Sequence, residues 1–414
     1  MTGFRDLAHN RDFTVLWMGQ TLSALGTRVS GFAFPLVGYA LTHSAFWAAA
    51  AEAALLVGLV GMLLPGGVLA DRRDRRRLMR GAMLLGIASY TSLAVAGILG
   101  LLTLPHLLVA AFVSGVSTGL FSPAESSAIR TIVPTEDLPA AYSQMQAREH
   151  VASLLGAPLG GALFGITRWL PFLADALSYA VAWAMLLRLR TPLPAMARTG
   201  GPTRPAADIR EGLAFCWRVP LFRVILFWAP CINLLANALF LLLILRLIAA
   251  GVAPLTISLI EVAGGIAGIV GAAIAPWLIE RVPTGMLAIA ISWLQLPMLI
   301  PLAIWNSPWL VAALLAFVLL INPAGNAGAG AYRTAITPPE LLGRTQSAMQ
   351  FVAMATMPVA PLLAGVLLTH LGGRESVLVI GALLIGVALI PTLSASVRSV
   401  PRPEVWRAAA SVST

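Results

Sequence analysis

The stretch LPGGVLADRRDRRRLMRG, residues Leu64 to Gly81, carries six arginines and two aspartates between two long apolar segments. The rest of the chain has few charges: 11% of all residues are charged, 58% are hydrophobic, and the mean hydropathy is +0.87. Soluble domains carry about 25% charged residues. The composition therefore indicates an integral membrane protein, in which the quoted stretch is a loop between two membrane-spanning helices.

The net charge of +10 invites a comparison with nucleic-acid-binding proteins. The basic residues, however, lie at the ends of apolar segments and not along one soluble face. We therefore expect a lipid bilayer, and no nucleic acid, as a partner of this chain.

Residues that carry cofactor and metal chemistry are rare in this chain. All 27 basic residues are arginine, which excludes lysine-dependent nucleotide sites and Schiff bases. The two cysteines, Cys216 and Cys231, lie near one predicted span, and the five histidines lack the spacing of metal ligands. We expect no enzymatic activity, no cofactor, no disulfide and no metal site.

Apolar segments long enough to cross a bilayer, about 20 residues each, recur along the whole chain. Their number predicts an all-α membrane protein with twelve transmembrane helices in two pseudo-symmetric six-helix bundles. The predicted spans are Phe13 to Leu41, Phe46 to Ala70, Leu78 to Leu102, Pro105 to Ile129, Ser143 to Thr167, Pro171 to Leu189, Leu221 to Ala249, Pro254 to Ile279, Gly285 to Trp305, Pro308 to Ala331, Gln346 to Leu371 and Ser376 to Ser396.

A polar segment between the sixth and seventh spans divides the chain. We expect residues 1–190 to form the N-terminal bundle, 191–219 a cytoplasmic linker, 220–397 the C-terminal bundle and 398–414 a cytoplasmic tail. The first half of the linker is rich in Pro and Gly, which is typical of a mobile connection. In its second half Ile209, Leu213 and Trp217 recur at helical spacing, which predicts an amphipathic helix on the membrane surface.

An internal repeat supports the division into halves. The segment Ile129 to Gln146 follows the fourth span, and the segment Tyr332 to Gln350 follows the tenth. The matching residues are Arg130, Thr131, Pro134, Glu136, Leu138, Met145 and Gln146 in the first segment and Arg333, Thr334, Pro338, Glu340, Leu342, Met349 and Gln350 in the second. Such a repeat indicates an ancestral duplication, a design typical of secondary transporters.

The arginines also predict the orientation of the chain. With a cytoplasmic N-terminus, Arg168 and Arg374 fall outside, Arg28 and Arg246 lie within spans, and all the others fall on cytoplasmic flanks or loops. Cytoplasmic loops of membrane proteins carry the excess of positive charge. We therefore expect a multi-pass protein of the inner (plasma) membrane with both termini in the cytoplasm.

The loop after the second span resembles a motif of the major facilitator superfamily. That motif has Gly, any residue, Leu, Ala, Asp, Arg and a short basic run, and the matching residues here are Gly67, Leu69, Ala70, Asp71, Arg72, Arg75 and Arg76. The resemblance covers nearly the whole chain. It implies a cytoplasmic gating motif, in which Asp71 faces the start of the eleventh span and the arginines pair with carboxylates of neighbouring helices. Asp74 stands where the family often has Gly.

The fifth span resembles a second motif of the same superfamily. Gly156, Pro158, Gly160 and Gly161 match the glycine and proline motif of the drug-proton antiporter branch, and Ala157 departs from it. Small residues at this density also allow ordinary close helix packing, and both interpretations stay open. Together with the first and sixth spans, the motif implies similarity to the multidrug, macrolide and siderophore exporter group.

Ionisable side chains within spans are costly and are therefore functional candidates. Arg28 in the first span is a candidate for a cavity or proton relay, or for a structural ion pair. Glu125 in the fourth span is a candidate for coupling or a structural partner of the motif arginines. Glu149 in the fifth span and Asp175 in the sixth are candidate coupling carboxylates, with an interfacial carboxylate and an early helix-turn carboxylate as the respective alternatives.

Five further polar residues lie within spans, and four of them are functional candidates. Glu261 in the eighth span is preferred over Glu52 as a proton-binding carboxylate, because glycines beside it allow close helix contacts. Asn233 and Asn237 share one face of the seventh span and can bind substrate or hydrogen-bond a neighbouring helix. Arg246 lies on the opposite side of that span, and we expect its side chain to extend to the outer membrane surface.

These features predict a secondary active transporter that works as a monomer by alternating access. We expect proton-coupled efflux of amphiphilic small molecules of the drug, macrolide or siderophore type, driven by the proton gradient because no nucleotide site is present. Uptake of a metabolite is an alternative that predicts a more polar cavity. A transport-inactive sensor or scaffold on the same fold is a second alternative, which the intact cytoplasmic motif disfavours.

Overall fold

The computed structural model describes Leu7 and residues 10–134, 137–194 and 205–402. Within these ranges the side chains of residues 71, 139, 205–209, 339, 340, 342, 343 and 347 are not described. The predicted roles of the Asp71 side chain, of most of the C-terminal tail and of the Pro- and Gly-rich half of the linker therefore lie outside the described residues.

The described residues form a succession of helices. In chain order they are α1 (Arg11–Thr42), α2 (Ala45–Arg72), α3 (Arg75–Ile98), α4 (Leu104–Ile132), α5 (Leu138–Ile166), α6 (Leu170–Leu187), α7 (Pro205–Arg218), α8 (Pro220–Ala249), α9 (Pro254–Arg281), α10 (Thr284–Leu294), α11 (Leu299–Ile304), α12 (Pro308–Ile336), α13 (Pro339–Ala355), α14 (Val359–Leu371), α15 (Gly373–Leu393) and α16 (Ala395–Arg398).

The all-α fold class is confirmed, and the helices follow the predicted spans closely. Ten helical segments among the described residues are long and apolar enough to cross a membrane. The first and fifth predicted spans correspond to α1 and α5, which are helices of 32 and 29 residues but are not among the ten. The count of twelve transmembrane helices therefore stays a prediction.

Two of the predicted spans are interrupted helices. The ninth consists of α10 and α11, joined by a 3₁₀ turn over Leu296–Met298 that contains Pro297. The eleventh consists of α13 and α14, which are separated near Pro358. Proline lacks the backbone N–H that would continue the helix hydrogen bonds, which explains both interruptions.

The chain forms two compact units. The first unit contains residues 1–201 and 248–262, and the second contains residues 202–247 and 263–414. The core of the first unit includes large side chains that are fully buried, among them Phe34, Tyr90 and Phe172. A smaller core in the second unit surrounds Cys216 and Phe222. The domain boundaries proposed from the sequence stay a prediction.

Helices α2 and α4 approach each other closely through glycines. A Cβ atom added to Gly119 of α4 would lie 2.6 Å from the carbonyl oxygen of Leu59, and one added to Gly115 would collide with the carbonyl oxygen of Leu55. Real Cβ atoms essentially never approach other atoms below 3.0 Å. Glycine is therefore required at these positions, because small residues let membrane helices pack backbone against backbone.

Replacing Gly115 by alanine tests this packing. We expect Gly115→Ala to lower the free energy of unfolding by about 1–3 kcal/mol, because the added methyl group forces the two helices apart. Gly61→Ala on α2 is the matched control, since an added Cβ there meets no atom within 4 Å. The measurement is thermal unfolding in detergent, in which the fraction of folded protein that remains at each temperature is read by size-exclusion chromatography. Equal midpoints for the two variants would contradict the close contact.

The linker helix α7 packs within the second unit through a face that its apolar pattern does not predict. Gly212 and Cys216 are buried, and Gly212 abuts the backbone at Arg344 of α13. Glu211 and Arg344 form an ion pair at 2.8 Å. Trp217, on the apolar face expected to meet the membrane surface, is 56% exposed. Burial raises the pKa of the Cys216 thiol.

Candidate functional site

Asp74 in the basic loop caps the helix that follows it. Its side chain accepts a hydrogen bond of 2.9 Å from the backbone N–H of Arg77, and α3 begins directly after it. Aspartate is among the best residues at this capping position. Asp74 therefore replaces the tight turn of the family's glycine with a helix cap.

The arginines of the loop bind the end of the sixth helix. The guanidinium of Arg76 donates to the backbone carbonyls of Leu187, at 3.0 Å, and of Leu189. Arg80 donates to the carbonyl of Leu186 at 3.3 Å. The last carbonyls of a helix have no partner within the helix and carry its negative dipole end, which favours cations there.

Arg75 is 4% exposed and is held by two contacts within the first unit. Its Nη1 donates to the hydroxyl of Thr131 at 3.0 Å, and its backbone N–H donates to the carbonyl of Leu193 at 3.0 Å. Carboxylate partners were expected for the motif arginines, but among the described residues no carboxylate is hydrogen-bonded to Arg75 or Arg76. Unpaired backbone carbonyls and a hydroxyl group provide the acceptors instead.

The remaining motif residues are less constrained in the described part of the structure. Gly67 lies within α2, and an added Cβ there would meet no atom within 4 Å. Arg72 ends the same helix and is exposed. The side chain of Asp71 lies outside the description, so its expected gating contact stays a prediction.

Asp12 of α1 binds the segment that follows α6, and sequence reasoning did not single it out. Its carboxylate accepts hydrogen bonds from the backbone N–H groups of Arg190 and Thr191 at 3.0 and 2.6 Å, and from the Thr191 hydroxyl at 2.6 Å. Burial alone would raise the pKa of this carboxyl group, but these hydrogen bonds outweigh it and hold the pKa below its usual value. The chain leaving α6 is therefore held by an anion as well as by arginines.

A buried ion pair joins α4 and α5. Nη1 of Arg148 lies 2.9 Å from Oε1 of Glu125, and the two side chains are only 6% and 9% exposed. Glu149 accepts from Arg148 at 3.2 Å and lies 3.8 Å from Arg28 of α1. Glu125 therefore pairs with Arg148 rather than with a loop arginine, and Arg28 has a carboxylate partner.

The glycine motif of the fifth span forms the crossing of α5 with α1. Gly156 abuts the side chain of Arg28, and a Cβ added to Gly160 would lie 2.8 Å from the carbonyl oxygen of Val29. A Cβ added to Gly161 would lie 2.9 Å from the carbonyl oxygen of Pro254, which also belongs to the first unit. Pro158 lies within the same helix, so the motif positions Arg28 beside Glu149 by close backbone packing.

Asp175 of α6 is completely buried, and its direct partners are hydroxyl groups. The hydroxyl of Ser30 donates to its Oδ2 at 2.6 Å, and the hydroxyl of Ser178 donates to its Oδ1 at 2.9 Å. Gly26 of α1 faces the same carboxyl group, and any larger residue there would collide with it. In the described part of the chain, no basic side chain donates a hydrogen bond to Asp175.

Two tyrosines extend the polar cluster around Asp175. Tyr90 is fully buried and lies beside the carboxyl group, and Tyr179 is 3% exposed. Their rings form an edge contact with centroids 5.4 Å apart. The hydroxyl of Tyr179 lies 3.2 Å from that of Thr27. Sequence reasoning missed these partners, although the spacing of Asp175 and Ser178 places both on one helix face.

The other candidate carboxylates also lie in the first unit. Glu52 of α2 and Glu261 of α9 interact electrostatically with each other, and Glu261 interacts with Arg28 as well. Arg28 thus faces two of the predicted coupling candidates, Glu149 and Glu261. In the described part of the chain, no three metal-ligating side chains converge.

In the second unit, Asn233 and Asn237 occupy exposed positions on α8. Asn237 donates to the backbone carbonyl of Asn233 at 2.7 Å, and Asn233 lines a cavity of about 350 Å³. Arg246 donates to the carbonyl of Leu302 at 2.7 Å and is only partly exposed. The guanidinium of Arg246 thus binds a carbonyl near the end of the ninth predicted span, and the expectation that the side chain extends to the outer membrane surface stays a prediction.

The buried pair of α4 and α5 predicts unequal roles for its two carboxylates. We expect Glu125→Gln to lower the free energy of unfolding by about 3–5 kcal/mol, because it leaves the Arg148 charge buried without its main partner. Glu149→Gln, at a side chain that is 40% exposed, should change it by only about 0–1 kcal/mol. Thermal unfolding of the purified variants measures both, and similar losses would show that the pairs are equivalent.

The helical fold of the described residues and their ten candidate spans are those of a multi-pass membrane protein. The chain belongs to the Major Facilitator Superfamily, whose family model it matches over residues 16–321. The resemblance of the cytoplasmic loop is thereby confirmed at the level of the family.

Relatives within this superfamily include named efflux proteins. Macrolide efflux protein A of Streptococcus pyogenes is 23% identical over 184 residues, which cover 44% of this chain and 45% of that protein. Macrolide efflux protein A of Enterococcus faecalis is 24% identical over 127 residues, which cover 30% of this chain and 39% of that protein. The matched part thus spans less than half the length of these curated relatives.

Solved transporter structures share the fold over nearly the whole chain. A bacterial homolog of the human lysosomal transporter Spinster, inward-facing and unoccupied, has a TM-score of 0.71 at 14% identity, covering 95% of this chain and 97% of that one. A bacterial homologue of the iron transporter ferroportin, inward-facing, has a TM-score of 0.70 at 16% identity, with coverages of 92% and 98%. A D-xylose-proton symporter has a TM-score of 0.63 at 15% identity, with coverages of 92% and 97%. At these identities the similarity shows the fold alone.

Proposed function

We propose that this transporter exports amphiphilic small molecules from the cytoplasm in exchange for protons, by alternating access. The direction is supported by the similarity to macrolide efflux proteins, although that similarity covers less than half of each chain. The proton gradient is the proposed driving force because the lysine-free sequence has no P-loop lysine for nucleotide binding. Drug, macrolide and siderophore types of cargo remain the proposed range.

The observation that carries the proposal is the environment of Asp175. A carboxyl group that is fully buried in a membrane protein is costly as an anion and marks a proton or ion pathway. The hydroxyl groups of Ser30 and Ser178 can bind both the deprotonated and the protonated form of Asp175, because a hydroxyl can donate to the carboxylate or accept from the protonated acid.

The coupling follows from the charge of this group. When protonated, Asp175 is neutral and compatible with dry packing among Tyr90 and Tyr179. When deprotonated, it requires donors or water, so that the packing of α1 against α6 depends on the proton. Proton release and uptake at Asp175 would thereby favour different conformations of the first unit.

Accumulation assays in a bacterial strain without its own pumps test the exporter function. Expression should lower the cellular content of a lipophilic macrolide or dye within a broad compound panel, and a protonophore should abolish the difference. A rise in cellular content on expression would establish uptake instead. Unchanged content for every compound would favour the sensor or scaffold alternative and contradict the proposal.

Asp175→Asn tests the coupling separately from cargo binding. In proteoliposomes we expect transport driven by a proton gradient to fall to the background of empty liposomes. The reason is that the asparagine side chain does not titrate and cannot take up and release a proton. Exchange of labelled for unlabelled cargo should persist, since it requires no net proton movement. Glu375→Gln, at an exposed carboxylate in the first turn of α15, is the control that keeps full activity. Retained gradient-driven transport in Asp175→Asn would exclude Asp175 as the proton carrier.

A further inference from the structure

We propose that the cavity in the second unit binds the anionic group of an amphiphilic molecule, with Arg333 as the binding cation. This proposal rests on the transport function proposed above and narrows its cargo to amphiphiles that carry a negative charge. The cavity, of about 350 Å³, is lined by residues of α8, α12 and α13 and of the turn after α12.

The lining of the cavity combines one charge with an apolar wall. Among its described lining residues, Arg333 of α12 is the only side chain with a formal charge. Ile225, Leu226 and Met349 provide apolar surface, and the polar side chains are Asn233, Asn326, Thr334, Thr337, Thr345, Gln346 and Gln350. A cavity with one cation, several hydrogen-bond donors and an apolar wall fits a molecule with an anionic head and an apolar body.

The hydrogen bonds of Arg333 leave its charge available. Its Nε donates to the carbonyl of Ala329 at 3.2 Å, and its Nη1 lies 3.6 Å from the sulfur of Met349. Both acceptors are uncharged, and neither compensates a guanidinium as a carboxylate would. The side chain is half-buried, so an anion that enters the cavity meets the guanidinium away from bulk water.

Thr345 is a second, independent feature that points to a ligand. Its side chain is 3% exposed and lines the cavity, yet its hydroxyl has no hydrogen-bond partner among the residues that the structure describes. A buried hydroxyl without a partner costs about 1–3 kcal/mol. An anionic oxygen in the cavity would accept from this hydroxyl and from Arg333 together.

The internal repeat allows the surroundings of Arg333 to be compared with those of its counterpart in the first unit. Arg130 and Arg333 occupy matching positions, but Arg130 is exposed. Across the one-residue insertion in the second segment, the alignment extends to pair Glu125 with Gly328 and Glu149 with Ala353. The second unit therefore has no counterparts of Glu125 and Glu149, which pair with Arg148 and Arg28 in the first unit, and Ala353 itself lines the cavity.

Equilibrium binding in phosphatidylcholine nanodiscs, without any gradient, tests the site separately from transport. The probes are a dansylated undecyl sulfonate and the corresponding uncharged sulfonamide, with empty nanodiscs as the blank. We expect the sulfonate to bind at least about tenfold more tightly, since a hydrogen bond to a charged group contributes more than a neutral one. Equal binding of the two probes would overturn the proposal, whatever the transport assays show.

Variants of the lining residues assign the binding to this cavity. Arg333→Gln should weaken sulfonate binding about tenfold or more and leave the sulfonamide unchanged, whereas Arg130→Gln, its repeat counterpart, should change neither. Thr345→Val should weaken sulfonate binding roughly two- to tenfold without loss of stability, because it removes an unpaired buried hydroxyl. Ala353→Glu, which introduces the carboxylate that Glu149 provides in the first unit, should also weaken sulfonate binding. Unchanged sulfonate binding in Arg333→Gln and Thr345→Val would place the anion elsewhere.

Nanodiscs that contain phosphatidylglycerol distinguish two sources of the anion. If the anionic lipid competes with the sulfonate at the wild-type cavity but not in Arg333→Gln, the site is an anion site whose occupant is a lipid headgroup. If the sulfonate binds with equal affinity in both lipids, the site is an anion site for a cargo molecule. Competition that is identical in wild type and Arg333→Gln would contradict a site at Arg333.

Discussion

Water is absent from the hydrocarbon core of a bilayer, and every polar group placed there must find its partner within the protein. This constraint produces the long helices, whose backbone hydrogen bonds are all internal. It also decides where the few charged side chains lie. Arg148 pairs with Glu125, Arg246 binds the carbonyl of Leu302, and Asp175 is surrounded by hydroxyl groups.

The basic loop has a structural role beside its predicted topogenic one. Its arginines bind the open carbonyls at the end of α6, while Asp12 binds backbone N–H groups of the chain that leaves it. The end of this helix is thus held by both signs of charge. The loop charge that is predicted to orient the chain in the membrane thus also holds one end of the first unit together.

The two repeat segments of the sequence differ in the charged residues around their matching positions. In the first unit, carboxylates neutralise Arg148 and Arg28. In the second unit, the matching positions are Gly328 and Ala353, and Arg333 faces a cavity instead. Unequal halves are suited to unequal tasks, with proton binding proposed for the first and cargo binding for the second.

The fold class, most of the span limits and the superfamily followed from the sequence alone, because apolar length and the charge of loops are local properties. The glycine motif was also recognisable, but not that Gly156 packs against Arg28. The partners of the charged residues could not be derived, since they depend on which helices become neighbours. From the sequence, Asp175 is one candidate among several. The contact that distinguishes it is the hydrogen bond from Ser30, which is distant in the sequence.

The class of the protein, its helices and a short list of polar residues within spans that are functional candidates could therefore be derived from the sequence. The partners of these residues depend on the tertiary structure. The loop arginines donate hydrogen bonds to backbone carbonyls, Glu125 forms an ion pair with Arg148, and Arg333 lines a cavity. The physical reason is that hydropathy acts along the chain, whereas a hydrogen bond acts over about 3 Å between residues whose distance in sequence is unrestricted.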